Sequence, residues 1–433
     1  MPTTIVFFPE GAYGPTNNCV GMGDVLRRRG HRVVFVIEES FAGRLSALGF
    51  EERLMRLAPP PAEPEVPGQF WKDFIRDTAP EFRRPTIEQL SSFIAPTWQA
   101  LIDGARYVEP RLRELLAEVQ PDVVVEDNVC AFPAVVTHGV PWVRIASCNP
   151  AEMKDPAIPP TFSGYPTADR SGWAEFRAEY GRTHRAIWEQ FNAFVVDAGA
   201  PSLPDLEFIH QSRWLNLYLY PKEIDYQRAI PLGPSWHRLD SAVRATDGPW
   251  ELPDHLMDRP GPLIYLSLGS LASADVDLMQ RLVGMLGQSR CRVIVSKGPQ
   301  ADLYDLPDNM AGAEFLPQPA ILPRVDLVIT HGGNNTVTEA LRFGKPMVVL
   351  PVFWDQYDNA QRIHETAYGV RLDTYRCEAR DLMAAIDRLL ADRYLGKRLA
   401  ALRDRLAASP GTLRAAKLIE QLATTGQPVI ARE

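Results

Sequence analysis

The first apolar run of the chain, TIVFFPE, is short and rich in Ile, Val and Phe, and a Gly/Pro loop, GAYGPT, follows it. Next comes a helical pattern, NNCVGMGDVLRRR, stopped by Gly30, and then a second strand, HRVVFVIE. Strand, loop, helix, strand is the signature of a parallel α/β sheet. It recurs, with PDVVVEDN and PWVRIAS as buried strands and AFPAVVTHG between them. The proline-rich stretch 59–69 and the turn-rich stretch 150–172 read as long loops. Around them lie aromatic-bearing helical patterns such as TIEQLSSFIAPTWQALI and WAEFRAEYGRTHRAIWEQFNAFV. Long irregular insertions in a compact α/β domain are usually functional.

The alternation breaks around 231–260, where Pro, Asp and turn residues dominate and no periodicity survives. It restarts with PLIYLSLGS as a strand, VDLMQRLVGMLG as a helix and CRVIVSKG as a strand. The pattern predicts an α/β domain over 1–230, a linker over 231–255 and a second α/β domain over 256–411. Two such domains place a cleft at the carboxyl ends of their strands, where open α/β sheets bind ligands.

Composition narrows the partners. The chain has 433 residues, and 46 Lys and Arg stand against 54 Asp and Glu, a net charge of −8. With no long basic run, generic nucleic-acid or anionic-membrane binding is disfavoured. The five cysteines are scattered without a CxxC pair, so neither structural zinc nor a disulfide framework is expected. The N-terminus has no basic region ahead of a long apolar run, and no stretch reaches the length of a membrane span. The expectation is a cytoplasmic protein.

The densest chemistry lies between Phe315 and Asn359. VITHGGNNTVTEAL reads as strand, glycine turn and helix. Gly332 and Gly333 permit a tight turn and close approach of a ligand. The helix start at Asn334–Thr336 offers free N–H groups to an anion, with His331 at the mouth. Alone, such a turn is more commonly a plain helix cap. Asp275-Val-Asp277 looks like a metal motif, but it opens a predicted helix, where acids complement the dipole and residues two apart do not face each other. No metal is expected. No GxGxxG follows the first strand, which disfavours a nicotinamide dehydrogenase.

The order Phe315-x-Pro317-Gln318, His331-x-Gly333-x-Asn335-Thr336-x-x-Glu339, then Asp355-Gln356 and Asn359-Ala360 resembles the donor-binding signature of the family 1 UDP-sugar-dependent glycosyltransferases. That group includes bacterial macrolide and plant natural-product enzymes. The resemblance implies a GT-B fold, α/β with two Rossmann-like doubly wound domains facing across a cleft, and a final helix (412–433) returning to the first domain. It implies that Phe315 stacks on the nucleobase, that Gln318 and Glu339 bond the ribose, and that His331, Gly333, Asn335, Thr336 and Ser270 surround the diphosphate. Asp355 and Gln356 match the pair that reads the donor sugar. The implied reaction is inverting transfer of a hexose, glucose foremost, from UDP-glucose to a hydroxyl of a bulky hydrophobic natural product. The nucleotide sugar is a co-substrate, and no cofactor is expected. A non-catalytic nucleotide-sugar-binding protein and an epimerase or hydrolase on the same fold are the rival readings.

The same resemblance implies a histidine base after the first strand, oriented by a buried Asp. Asp127, after the strand PDVVVED, matches the Asp. The position expected for the His is Pro15, which cannot transfer a proton, and all eight histidines lie outside this loop. Three readings stay open: Asp127 is itself the base, another group such as Tyr13 serves, or transfer has been lost. Asn17 and Asn18 could cap the first helix or position the acceptor. Phe70, Trp71, Trp98 and Phe162 are candidates to line the acceptor pocket among aromatics that otherwise read as core.

Overall fold

The computed structural model describes residues 2–60, 73, 76–245 and 248–431; Phe70 and Trp71 lie outside them. The strands of the first domain are β1 (Thr4–Pro9), β2 (Arg32–Glu38), β3 (Glu51–Met55), β4 (Val123–Asp127), β5 (Trp142–Ala146), β6 (Leu215–Tyr218) and β7 (Trp236–Arg238). Those of the second are β8 (Leu263–Ser267), β9 (Arg292–Ser296), β10 (Met310–Ala313), β11 (Leu327–Thr330), β12 (Met347–Val349) and β13 (Gly369–Arg371). The helices that shape the site are α1 (Tyr13–Arg28), α2 (Ala95–Val119), α3 (Trp173–Asp197), α4 (Val276–Gly287), α5 (Asn334–Arg342), α6 (Gln356–Glu365) and α7 (Gly411–Thr425).

The first sheet runs β3-β2-β1-β4-β5-β6-β7 and the second β10-β9-β8-β11-β12-β13, with parallel pairing throughout. Parallel sheets are covered on both faces, which is why β4 is buried along its whole length. Alternate residues serve opposite layers. Ile5, Phe7, Val123 and Val125 join one cluster with Cys19 and Val20 of α1 and Ala415, Ala416 and Ile419 of α7. Val6, Phe8 and Val124 join the other, with Leu112 and Leu115 of α2. That second cluster continues into the C-terminal domain. Phe353 bridges the two domains, 5.1 Å from the ring of Phe82 and 5.5 Å from that of Phe93.

The return of the last helix follows from this packing. One face of α7 completes the cover over the first sheet, and Glu420 on it meets Arg29 at 2.5 Å and His31 at 3.1 Å. Two sequence boundaries move. Residues 236–238, read as linker, form β7 at the edge of the first sheet; a three-residue strand between turn residues leaves no period to detect. Helix α1 starts at Tyr13, not after the GAYGPT loop. Pro15 fits its first turn because N–H groups there have no intrahelical acceptor. Asp275 caps α4, accepting from the Leu278 N–H at 3.0 Å, and among the described residues no group of three or more His, Cys, Asp or Glu could hold a metal ion. No helix among them is long and apolar enough to cross a membrane.

Candidate active site

Each sheet reverses its strand order once, between β1 and β4 and between β8 and β11. Ligands of open α/β sheets bind outside the carboxyl ends of the strands at such points. Here the two crevices share one cavity of about 590 Å³. Glu10, Tyr13 and Asn17 enter it from the first domain, and Ser270, His331 and Asn335 from the second.

On the second-domain wall, Gly332 turns the chain at φ +90°, and a Cβ there would stand 2.9 Å from the Gln356 carbonyl oxygen. A Cβ on Gly333 would come within 2.5 Å of His331 Nε2, so the imidazole lies directly against the turn. Helix α5 then begins with no side-chain cap, leaving its first N–H groups for a ligand. Burial lowers the His331 pKa to about 4, against a hydrogen bond to the Ser267 carbonyl. The ring is therefore neutral near pH 7. Ser270 and Thr336 border the same space. Asn335 crosses the cleft, its Nδ2 donating to the Gly14 carbonyl at 2.8 Å, and so ties α5 to α1.

Further along, Gln318 Nε2 donates to Glu339 Oε2 at 2.5 Å, and Arg244 Nη1 stands 3.6 Å from the other carboxylate oxygen. Arg244 belongs to the stretch read as linker, where no sequence period marks a site residue. Phe315 is 47% exposed, an open ring at the cavity edge. Tyr13 faces it at 5.4 Å. Arg44 Nη1 donates to the Tyr13 hydroxyl at 2.6 Å and its guanidinium lies 5.9 Å from the Phe315 ring. Tyr13, a candidate base by sequence, thus stands at the Phe315 end of the cavity with its hydroxyl occupied. Burial raises its pKa further.

At the opposite end, the Asn149 N–H donates to Asp355 Oδ2 at 2.8 Å, and Asn149 Nδ2 donates to Asn359 Oδ1 at 2.8 Å. Asp358 accepts from the Phe162 and Gly164 N–H groups at 2.6 and 2.8 Å. These bonds fasten α6 to the first domain. Asp355 lines the cavity, and burial raises its pKa to about 7. Gln356 does not line it. Its Oε1 accepts from the Val352 and Phe353 N–H groups at 3.1 and 3.2 Å. Asp355 is the N-cap of α6 and Gln356 its first residue, so the two side chains diverge and Gln356 braces the loop instead.

The first-domain wall also differs from expectation. Asp127 is 2% exposed and does not reach the cavity. Its Oδ1 accepts from Ser147 Oγ at 2.6 Å and its Oδ2 from Asn18 Nδ2 at 3.4 Å, which places Asn18 behind the wall as well. Ser147, Asn17, Phe93, Leu101 and Val129 form its surface, and Trp354 of the second domain, on the loop before α6, packs against it. Trp98 and Phe162 stand a layer deeper. Their rings lie 5.4 and 4.5 Å from that of Trp354, and Trp98 stacks on Phe208 at 4.2 Å. Their burial makes them support for Trp354, whose place in the cavity no sequence period marks.

Two facing Rossmann-like domains with an uncapped, glycine-turned helix start opposite an apolar wall define a GT-B glycosyltransferase. Residues 280–422 match the family described as erythromycin biosynthesis protein CIII-like, C-terminal domain. The chain is 28% identical to the oleandomycin glycosyltransferase of Streptomyces antibioticus over 97% of its own length and 90% of that protein's. It is 32% identical to the zeaxanthin glucosyltransferase of Pseudescherichia vulneris over 72% of its length and 76% of that protein's. Its fold matches the crystal structure of the kitacinnamycin glycotransferase with a TM-score of 0.69 at 23% identity, covering 97% of this chain and 98% of that one. The chain belongs to the family 1 natural-product glycosyltransferases.

Proposed function

We propose that this glycosyltransferase moves glucose from UDP-glucose to a hydroxyl of a bulky hydrophobic natural product, inverting the anomeric carbon. The observation that carries the reading is the shared cavity, with a diphosphate-type helix start on one wall and Phe93, Leu101 and Val129 on the other. Similarity to an enzyme named for glucose and zeaxanthin supports the sugar and the apolar acceptor. Phe315 stacks on the base, Glu339 and Gln318 take the ribose hydroxyls, and Asp355 takes the sugar. The N–H groups of α5 and His331 meet the charge that develops on the departing diphosphate, so the transfer proceeds without a metal ion. Attack from the first-domain wall, opposite the diphosphate, gives inversion.

Mass spectrometry tests this with UDP-glucose and a panel of hydroxylated carotenoids, macrolides and aromatic polyketides. A hexose increment on an acceptor is the expected result, insensitive to chelator. UDP-glucose consumed with no acceptor present would make the protein a hydrolase or epimerase. UDP binding without any turnover would make it a binding protein. Thymidine diphosphate glucose, run in parallel, identifies the nucleotide.

A further inference from the structure

Glu10 is the first residue beyond β1, at the switch point of the first sheet. Its N–H donates to the Asp127 carbonyl at 2.8 Å, which continues the strand pairing one residue past Pro9 and holds the Glu10 backbone at the mouth of the crevice. The side chain lines the cavity beside Pro15, Asn17, Ser147 and Cys148. Cys148 marks its location along the cleft. The carboxylates of Asp355, Glu152, Glu10 and Asp127 all act on that thiol and, after burial itself, raise its pKa. Glu10 therefore shares the Asp355 end of the cavity, while Tyr13 and Arg44 occupy the Phe315 end.

The other acids at the Asp355 end are occupied, and Glu314, which also lines the cavity, precedes Phe315 and acts on Tyr13 at the far end. Both Asp127 oxygens accept hydrogen bonds, Asp355 Oδ2 accepts from Asn149, and Glu339 accepts from Gln318. The Glu10 carboxylate accepts none from the described residues. From this geometry we infer that Glu10 is the catalytic base of the transfer, standing in for the histidine that Pro15 excludes; the inference rests on the transfer reaction proposed above. The acceptor hydroxyl gives its proton to the Glu10 carboxylate as its oxygen forms a bond to the anomeric carbon. The bond from that carbon to the β-phosphate oxygen breaks, and its electron pair leaves with the nucleoside diphosphate. An ordinary carboxylate is a weak base toward an alcohol. Burial in the cavity wall raises the Glu10 pKa to about 7, the range in which a general base is effective at neutral pH.

The test is an acceptor pair, 4-nitrobenzyl alcohol and 4-nitrophenol, glucosylated by wild type, Glu10→Gln and Asp127→Asn. The alcohol needs a base, whereas the phenol itself ionises near neutral pH and needs one far less. Glu10→Gln should lose about 10²–10⁴-fold in kcat/KM on the alcohol and far less on the phenol. It should also lose the fall in rate below pH 7, and it should bind UDP as the wild type does by calorimetry. Equal loss on both acceptors with UDP binding intact would make Glu10 structural and overturn the assignment, as would an undiminished rate on the alcohol. A loss confined to the alcohol in Asp127→Asn but absent in Glu10→Gln would move the base to the Ser147–Asp127 pair. If the wild type transfers to neither acceptor nor to any aglycone of the panel, the transfer reading itself falls and the base with it.

Discussion

Replacing Glu339 by alanine removes the one carboxylate that faces the cavity between Gln318 and Arg244. On the proposed reading this group accepts from the two ribose hydroxyls of the donor. A hydrogen bond to a charged group contributes about 1.5–3 kcal/mol net, so two would give roughly 3–6. The carboxylate is already engaged at 2.5 Å by Gln318 Nε2 in the free protein, and binding exchanges part of that contact. The expected loss is therefore below that sum, about 2–3 kcal/mol, or roughly 30–150-fold in the Kd for UDP. Calorimetry with UDP and with 2′-deoxy-UDP isolates the ribose contribution. The wild type should prefer UDP, and Glu339→Ala should lose most of that preference along with its affinity. Glu339→Gln, which keeps one acceptor oxygen, should fall between. If Glu339→Ala weakens the two nucleotides equally, or neither, Glu339 does not read the ribose and the donor is oriented differently.

Asp355→Asn keeps an oxygen for the Asn149 N–H but loses the charge that would hold the sugar. It should lower kcat/KM by roughly 10–100-fold, about 1.5–3 kcal/mol, with UDP affinity unchanged; equal loss of UDP affinity would contradict its role at the sugar. Thermal stability should rise as pH falls from 8 to about 6.5. Burial raises the pKa of Glu10, Asp127, Asp355 and Asp358 to about 7 and of Glu126 to about 8, so the folded state binds more protons than the unfolded one in that window. Their contribution is fully present below the ordinary carboxylate range and is lost as pH rises through about 7–8. Below pH 6.5 the gain should continue toward the ordinary carboxylate range, offset only in part because burial lowers His184 and His331 to about 4 and folding then opposes their protonation. A Tm that is flat or rising from pH 6.5 to 8 would refute this. Gly332→Ala, forced to φ +90° with its Cβ 2.9 Å from a carbonyl oxygen, should cost about 1–3 kcal/mol by chemical denaturation. Gly284→Ala, inside α4 with open space around it, should stabilise by about 0.5–1 kcal/mol.

Local pattern alone determined the two α/β halves, the glycine turn at 332–333 and the order of the donor block. These features are written into neighbouring residues, either as buried Val/Ile runs or as a strand, turn and helix within fifteen positions. The same locality explains why Gly30 could be recognised as the end of α1, whose last turn also carries Arg27 and Arg28. Tertiary structure decided which side chains meet. Asp127 and Glu10 differ by 117 positions, yet the pairing of β1 with β4 sets them together at the carboxyl end of the first sheet. Only burial and hydrogen bonding there separate the occupied carboxylate from the open one. Arg244 reaches Glu339 because the chain crosses between domains beside α5, and Trp354 covers Trp98 and Phe162 because two distant loops converge. Gln356 turned from the cavity because a helix begins at that residue. Spacing along a chain records what a segment folds into; the free energy of ordering distant segments against one another is spent in the packed core, and the composition of the cleft follows from that packing.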